Sequence, residues 1–300
     1  MASYPPPSGF PTHSPEILPP EGGQSAAQQE ELRAVRDRLP GERSGSRSGP
    51  RSWAYAPATY TLVGINCAMF IAMVMSHGSL VNSSDSPITL LFANNAGAVL
   101  HDGQWWRIFT AMFVHAGFIH LAGNMWCLWN LGLLGEPLIG PVGVLATYIF
   151  SGAAGNLLSI GVAMAWTDAS KTGGPLGVGA SGAVFGLAGV LIVLLKSPRL
   201  PIPPKELSGL RRYVIYFAVI NFVIGFGGNR LKLGVNIDNM AHLGGFLGGI
   251  LFALPLVPLL GSPKSAFLLR RRVAVGLMTG ILVFFGFYLS VVFPPSAFQP

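Results

Sequence analysis

The chain has 300 residues, of which 51% are hydrophobic and 10% charged. Soluble domains carry about 25% charged residues, so a water-soluble globule is excluded and an all-α polytopic membrane protein is expected. The net charge of +7 is spread along the chain rather than gathered on one face, so nucleic acid is not an expected partner.

Residues 1–57 are rich in Pro, Ser, Gly and Arg and read as a disordered tail. Glu16, Glu21, Glu30 and Glu31 argue against a transit peptide, and no charged stretch followed by an apolar core marks a cleaved signal within the first 30 residues.

Apolar runs follow at about 60–75, 118–134, 142–166, 181–195, 210–226, 239–260 and 273–293. Cys67 and Cys127 both lie inside such runs and supply no disulfide framework or metal site. A spanning helix needs about 20 residues; seven spans is the count adopted here. Charge supports that count. With the N-terminus in the cytoplasm, one cluster of basic residues lies in the tail. A second (Lys196, Arg199, Lys205, Arg211, Arg212) follows span four, and a third (Lys264, Arg270, Arg271, Arg272) follows span six. Arg107, Lys171, Arg230 and Lys232 alone of the 19 Lys and Arg fall outside, as cytoplasmic bias requires. The C-terminus is then extracytoplasmic, and spans two, four and six begin on the outer side. Whether the membrane is a bacterial inner membrane or a eukaryotic one is not fixed by the sequence, nor is an oligomeric state.

Two of those beginnings carry chemistry. Gly179-Ala180-Ser181-Gly182 sets a serine in a glycine-rich turn at the start of span four, and Ala241-His242-Leu243-Gly244-Gly245 sets a histidine near the start of span six. A serine hydroxyl needs a base to become a nucleophile, and His242 is the best placed of the six histidines. Span four is short: 181 to 196 covers about 22 Å at about 1.5 Å per residue, against about 30 Å of hydrocarbon. Ser181 is therefore expected below the outer surface, met by a dipping loop rich in glycine. Gly182 with Gly186 and Gly245 with Gly249 form two small-xxx-small surfaces that would bring spans four and six together. Asp238, four residues before His242, is the acid nearest to it; a plain Ser–His dyad is the simpler reading. Asn124 and His120, on one helical face at i,i+4, and the Ser181 backbone N–H are candidate donors to a developing oxyanion. No H-E-x-x-H zinc motif is present, and no cofactor is expected.

From Trp106 to Gly249 these residues resemble the rhomboid family of intramembrane serine proteases. The resemblance is carried by Trp106-Arg107, His115-x4-His120-x3-Asn124, Glu136 and Gly140, Ser151-Gly152 with Gly155-Asn156, and the Ser181 and His242 motifs. It implies Ser181 as nucleophile and His242 as base. It also implies an oxyanion hole of His120, Asn124 and the backbone at Ser181 and Gly179, with Phe185 against the histidine where many relatives have tyrosine. His115, Trp106, Arg107, Glu136 and the four packing glycines are supporting residues. The implied substrates are transmembrane segments of other proteins, cut within the bilayer and entering near span five beside a cap at 225–236 that holds Gly227 and Gly228. The implied layout is a six-helix core at 58–260 plus a linker and seventh helix at 261–300. A catalytically silent relative that binds membrane proteins, and a transporter built on broken helices, are the competing readings.

Overall fold

The computed structural model describes residues 55–167, 169, 173–197, 200, 203–230, 237–257 and 263–295, with side chains to 225 in the 203–230 stretch. The expected tail thus lies outside the described residues up to 54, as does half of the expected cap, at 231–236; residues 226–230 complete a helix. The 260/261 boundary also falls outside them.

Among the described residues the regular structure is helical, with one isolated bridge between Asn94 and Gly177. Helix α1 is Pro57–Met75, and proline at its first position costs nothing because that N–H has no intrahelical acceptor. Two short α-helices, α2 (Pro87–Phe92) and α3 (Arg107–Thr110), a π-helical turn at Gly97–His101 and a 3-10 turn at Ala111–Phe113 occupy the long connection that follows. Helix α4 (Phe118–Trp166) is broken at Gly140, whose φ of 73° and ψ of 168° are not helical. Glycine tolerates that φ, and Pro141 disfavours helical backbone just before it. Helices α5 (Ser181–Leu194), α6 (Pro204–Arg230), α7 (Asn239–Ala253) and α8 (Lys264–Val292) complete the chain.

Counting the two limbs of α4 separately, each of the seven apolar runs has most of its described residues on a helix, but four boundaries differ from expectation. Residues 135–141, expected as a connection, are helical except at Gly140. Residues 254–257 leave α7 instead of extending it. Helices α6 and α8 begin six and nine residues early, so Lys205, Arg211, Arg212 and Arg270 to Arg272 sit on helices rather than in loops. Long basic side chains permit this, since their stems cover apolar surface while the charge reaches water. Among the described residues, four helices are long and apolar enough to cross a membrane: Pro57–Met75, Phe118–Trp166, Pro204–Gly225 and Lys264–Val292. Helices α5 and α7 are shorter.

The short helices are central. In α5, residues 182–191 are buried without interruption. A Cβ on Gly245 would collide with the carbonyl oxygen of Gly182, and one on Gly249 with that of Gly186. On the other side a Cβ on Gly244 would lie 2.8 Å from the Ala154 oxygen and 2.9 Å from the Gly155 Cα. Only glycine permits these approaches, so α5, α7 and the second limb of α4 pack backbone to backbone.

Buried polar groups tie the periphery to this core. Glu136 accepts the backbone N–H of Ala58 (2.9 Å) and Thr59 (2.8 Å) and the Thr59 hydroxyl (2.7 Å). It satisfies the orphan donors at the start of α1 from a different helix. Tyr148 donates to the Met112 carbonyl (3.0 Å) and accepts from Asn66 Nδ2 (3.0 Å).

Candidate active site

Ser181 opens α5, and the turn before it is shaped by Gly179, with φ of 120°. This is backbone that L side chains rarely adopt. The environment is as restrictive as the torsion. A Cβ on Gly179 would lie 2.7 Å from His120 Cε1, 2.8 Å from His120 Nε2 and 3.5 Å from Asn124 Nδ2. The turn therefore rests directly on the two side chains expected as oxyanion donors.

Those side chains are themselves held. Asn124 is buried and gives one amide N–H to the His120 carbonyl at 3.1 Å, which leaves its second amide hydrogen for another acceptor. The Gly179 N–H reaches the Ala111 carbonyl (3.0 Å), and the Ala180 N–H reaches His115 Nε2 (3.4 Å). The His115 and His120 rings meet edge to face, 5.2 Å apart. His115 precedes the spanning helix and is pushed down to about 3, by burial first and His120 second, with a smaller opposing effect of the Phe113 backbone. It is thus a neutral ring able to accept that N–H.

His242 enters from α7. It is buried, and its ring stacks on Phe185 of α5 at 4.3 Å between centroids and 19° between planes. Phe222 of α6 closes the other edge, 4.7 Å from Phe185 and 6.1 Å from His242. A Cβ on Gly182 would lie 3.2 Å from the Ala241 oxygen. Ser181 and His242 each adjoin a member of that pair, so their helices begin side by side. The Nδ1 of His242 is buried without a partner.

Asp238 is engaged elsewhere. Its carboxylate caps α7, accepting from Met240 N (3.1 Å) and Ala241 N (2.9 Å), and also accepts the Ser159 hydroxyl. It holds the helix that carries His242 rather than the imidazole, as a helix N-cap does. Trp106 and Arg107 stand in the connection before α4. Trp106 is half exposed; Arg107 is buried and donates to Gln104 Oε1 (2.6 Å) and to the Leu90 and Ala93 carbonyls (2.8 Å each). Arg107 and Glu136 hold the connection and α1 by these bonds. Among the described residues no group of three His, Cys, Asp or Glu converges as a metal site would require.

Sequence reasoning missed Phe222, because nothing in an apolar stretch marks which face meets the histidine. It also missed Asn94 and Asn95, whose side-chain amides donate to the Asn156 and Gly174 carbonyls, 62 and 79 residues away.

Residues 102–259 match the Rhomboid domain family. The chain is 29% identical over 230 residues to rhomboid protease GluP of Bacillus subtilis (strain 168), covering 77% of this chain and 40% of that protein. It is 30% identical over 238 residues to rhomboid protease AarA of Providencia stuartii, covering 76% and 83%. It is 34% identical over 180 residues to RHOMBOID-like protein 7 of Arabidopsis thaliana, covering 59% and 51%.

Proposed function

The chain belongs to the rhomboid family, and from that membership we propose that it is an intramembrane serine endopeptidase acting on transmembrane segments through a Ser181–His242 dyad. The proposal extends to topology: N-terminus cytoplasmic, C-terminus extracytoplasmic, a tail at 1–57, a catalytic core at 58–260, and a linker with an appended helix at 261–300.

The observation that carries the proposal is the seat of Gly179 on His120 and Asn124, one turn away from the meeting of Gly182 with Ala241. It supports reading the Ser181 turn as lying between the polar donors His120 and Asn124 and the imidazole of His242. Ser181 Oγ attacks the scissile carbonyl carbon while His242 takes its proton. The carbonyl oxygen gains negative charge and is met by the Asn124 amide, the His120 ring and the Ser181 N–H at the positive end of α5. The C–N bond then breaks, and His242 returns the proton to the leaving amine. Water attacks the acyl-serine ester, giving its proton to His242 and restoring the Ser181 hydroxyl as the carboxylic acid leaves. With Asp238 occupied at the helix cap, Phe185 orients the imidazole by stacking. A helical substrate must unwind first, so helix-weakening residues near the cut favour cleavage.

The test is cleavage of a transmembrane substrate in proteoliposomes. Wild type should cleave, and Ser181→Ala and His242→Ala should each lose at least about a thousandfold. Undiminished cleavage by Ser181→Ala removes the proposed nucleophile.

A further inference from the structure

The glycine-rich strap that leads into Ser181 is held by a segment outside the catalytic helices. Residues 173–179 run alongside residues 94–97. Asn94 and Gly177 exchange both backbone hydrogen bonds at 2.8 Å, and the Gly97 N–H reaches the Gly173 carbonyl at 3.1 Å. Asn95 works in two directions. Its Oδ1 accepts the Ala98 N–H (3.0 Å) at the start of a short helical turn, and its Nδ2 donates to the Gly174 carbonyl (2.9 Å). Gly173 and Gly174 have φ of 75° and 78°, a conformation open mainly to glycine and also available to glycine in its unfolded alternatives. A strap of this composition does not fix its own path. Its path decides where Gly179 meets His120 and Asn124.

We infer that Asn95 is a positioning residue for the reaction: its side-chain amide fixes the strap at Gly174 and thereby the Gly179–Ser181 turn against the oxyanion donors. The inference rests on the reading of Ser181 as nucleophile. Asn95 itself touches no reacting atom. Its contribution is to geometry, and displacement of reacting groups by about 1 Å can cost about a hundredfold in rate.

The two bonds of Asn95 allow a discriminating substitution. Asn95→Asp keeps an oxygen for the Ala98 N–H but faces the Gly174 carbonyl with an acceptor where a donor is needed. Asn95→Ala loses both. Gly97→Ala presses on both partners of the Asn95–strap contact, since its Cβ would stand 3.0 Å from the Gly173 Cα and 3.3 Å from Asn95 Oδ1. The full-length protein in proteoliposomes is assayed for cleavage, for fluorophosphonate labelling at Ser181 and for thermal unfolding. Asn95→Asp is expected to lower kcat and labelling rate about tenfold, with KM within twofold of wild type and Tm little changed. Gly97→Ala should move the same two rates in the same direction. Wild-type kcat and labelling in Asn95→Asp, or a loss that only tracks the fraction unfolded, overturns the inference. An inactive, unlabelled wild type would instead strike the dyad reading, so the two failures are distinguishable.

Discussion

Phe185 lies flat on the imidazole of His242, with ring centroids 4.3 Å apart. In the proposed dyad this stack is the contact that would orient the base, since Asp238 is committed to the cap of α7. Aromatic pairs of this kind contribute about 0.5–1.5 kcal/mol beyond buried area. Phe185→Ala should therefore lower kcat by about tenfold while Ser181 and its donors stay in place, and Phe185→Tyr should stay within about threefold of wild type. Steady-state kinetics of both variants check this. Equal activity of wild type and Phe185→Ala would show that the stack does not orient the base.

Gly245 and Gly249 cannot gain a side chain without parting α5 from α7. A Cβ at either would strike a backbone carbonyl, which cannot rotate away as a flexible side chain can. Gly245→Ala is expected to destabilise by about 2 kcal/mol or more and to remove activity by separating Ser181 from His242. By contrast a Cβ on Gly276 or Gly280 of α8 meets nothing within 4 Å, so alanine there should change Tm and cleavage little. Thermal unfolding and cleavage of the four variants provide the comparison.

Glu136 serves stability. Replacing it by Gln removes a charged acceptor from two N–H groups and a hydroxyl at the start of α1. Hydrogen bonds to charged groups contribute about 1.5–3 kcal/mol, so Glu136→Gln should lower the unfolding free energy by roughly that amount. The turnover of the protein that remains folded should be close to wild type.

His115 gives a pH signature. Its folded value of about 3 lies below the ordinary 6.5, so the unfolded chain binds the extra proton first as pH falls. Stability from this group is complete above about 6.5 and is lost between about 6.5 and 3, at up to about 1.4 kcal/mol per pH unit for one proton. His115→Gln retains an acceptor for the Ala180 N–H and should flatten that part of the Tm–pH curve.

The placement of helices was legible because apolar length and basic clusters report directly on lipid and water. The Ser181 turn and the glycine pairs were legible too, since glycine before a serine, or repeated at four-residue spacing, has few other uses in an apolar helix. Local signals did not reveal the partners of Asp238, Asn95 and Phe222. Asp238 stands four residues before His242 in sequence, yet a helix N-terminus offers it nearer donors. Asn95 meets Gly174 only once the chain has crossed α4.

The central claim is that Ser181 is a nucleophile activated by His242. Its most direct measurement is fluorophosphonate labelling of the purified, membrane-reconstituted protein, with the modified residue located by peptide mass. The account predicts one adduct, on Ser181, formed at least about a hundredfold more slowly in His242→Ala. An adduct on another residue, or labelling of Ser181 unaffected by loss of His242, would contradict it.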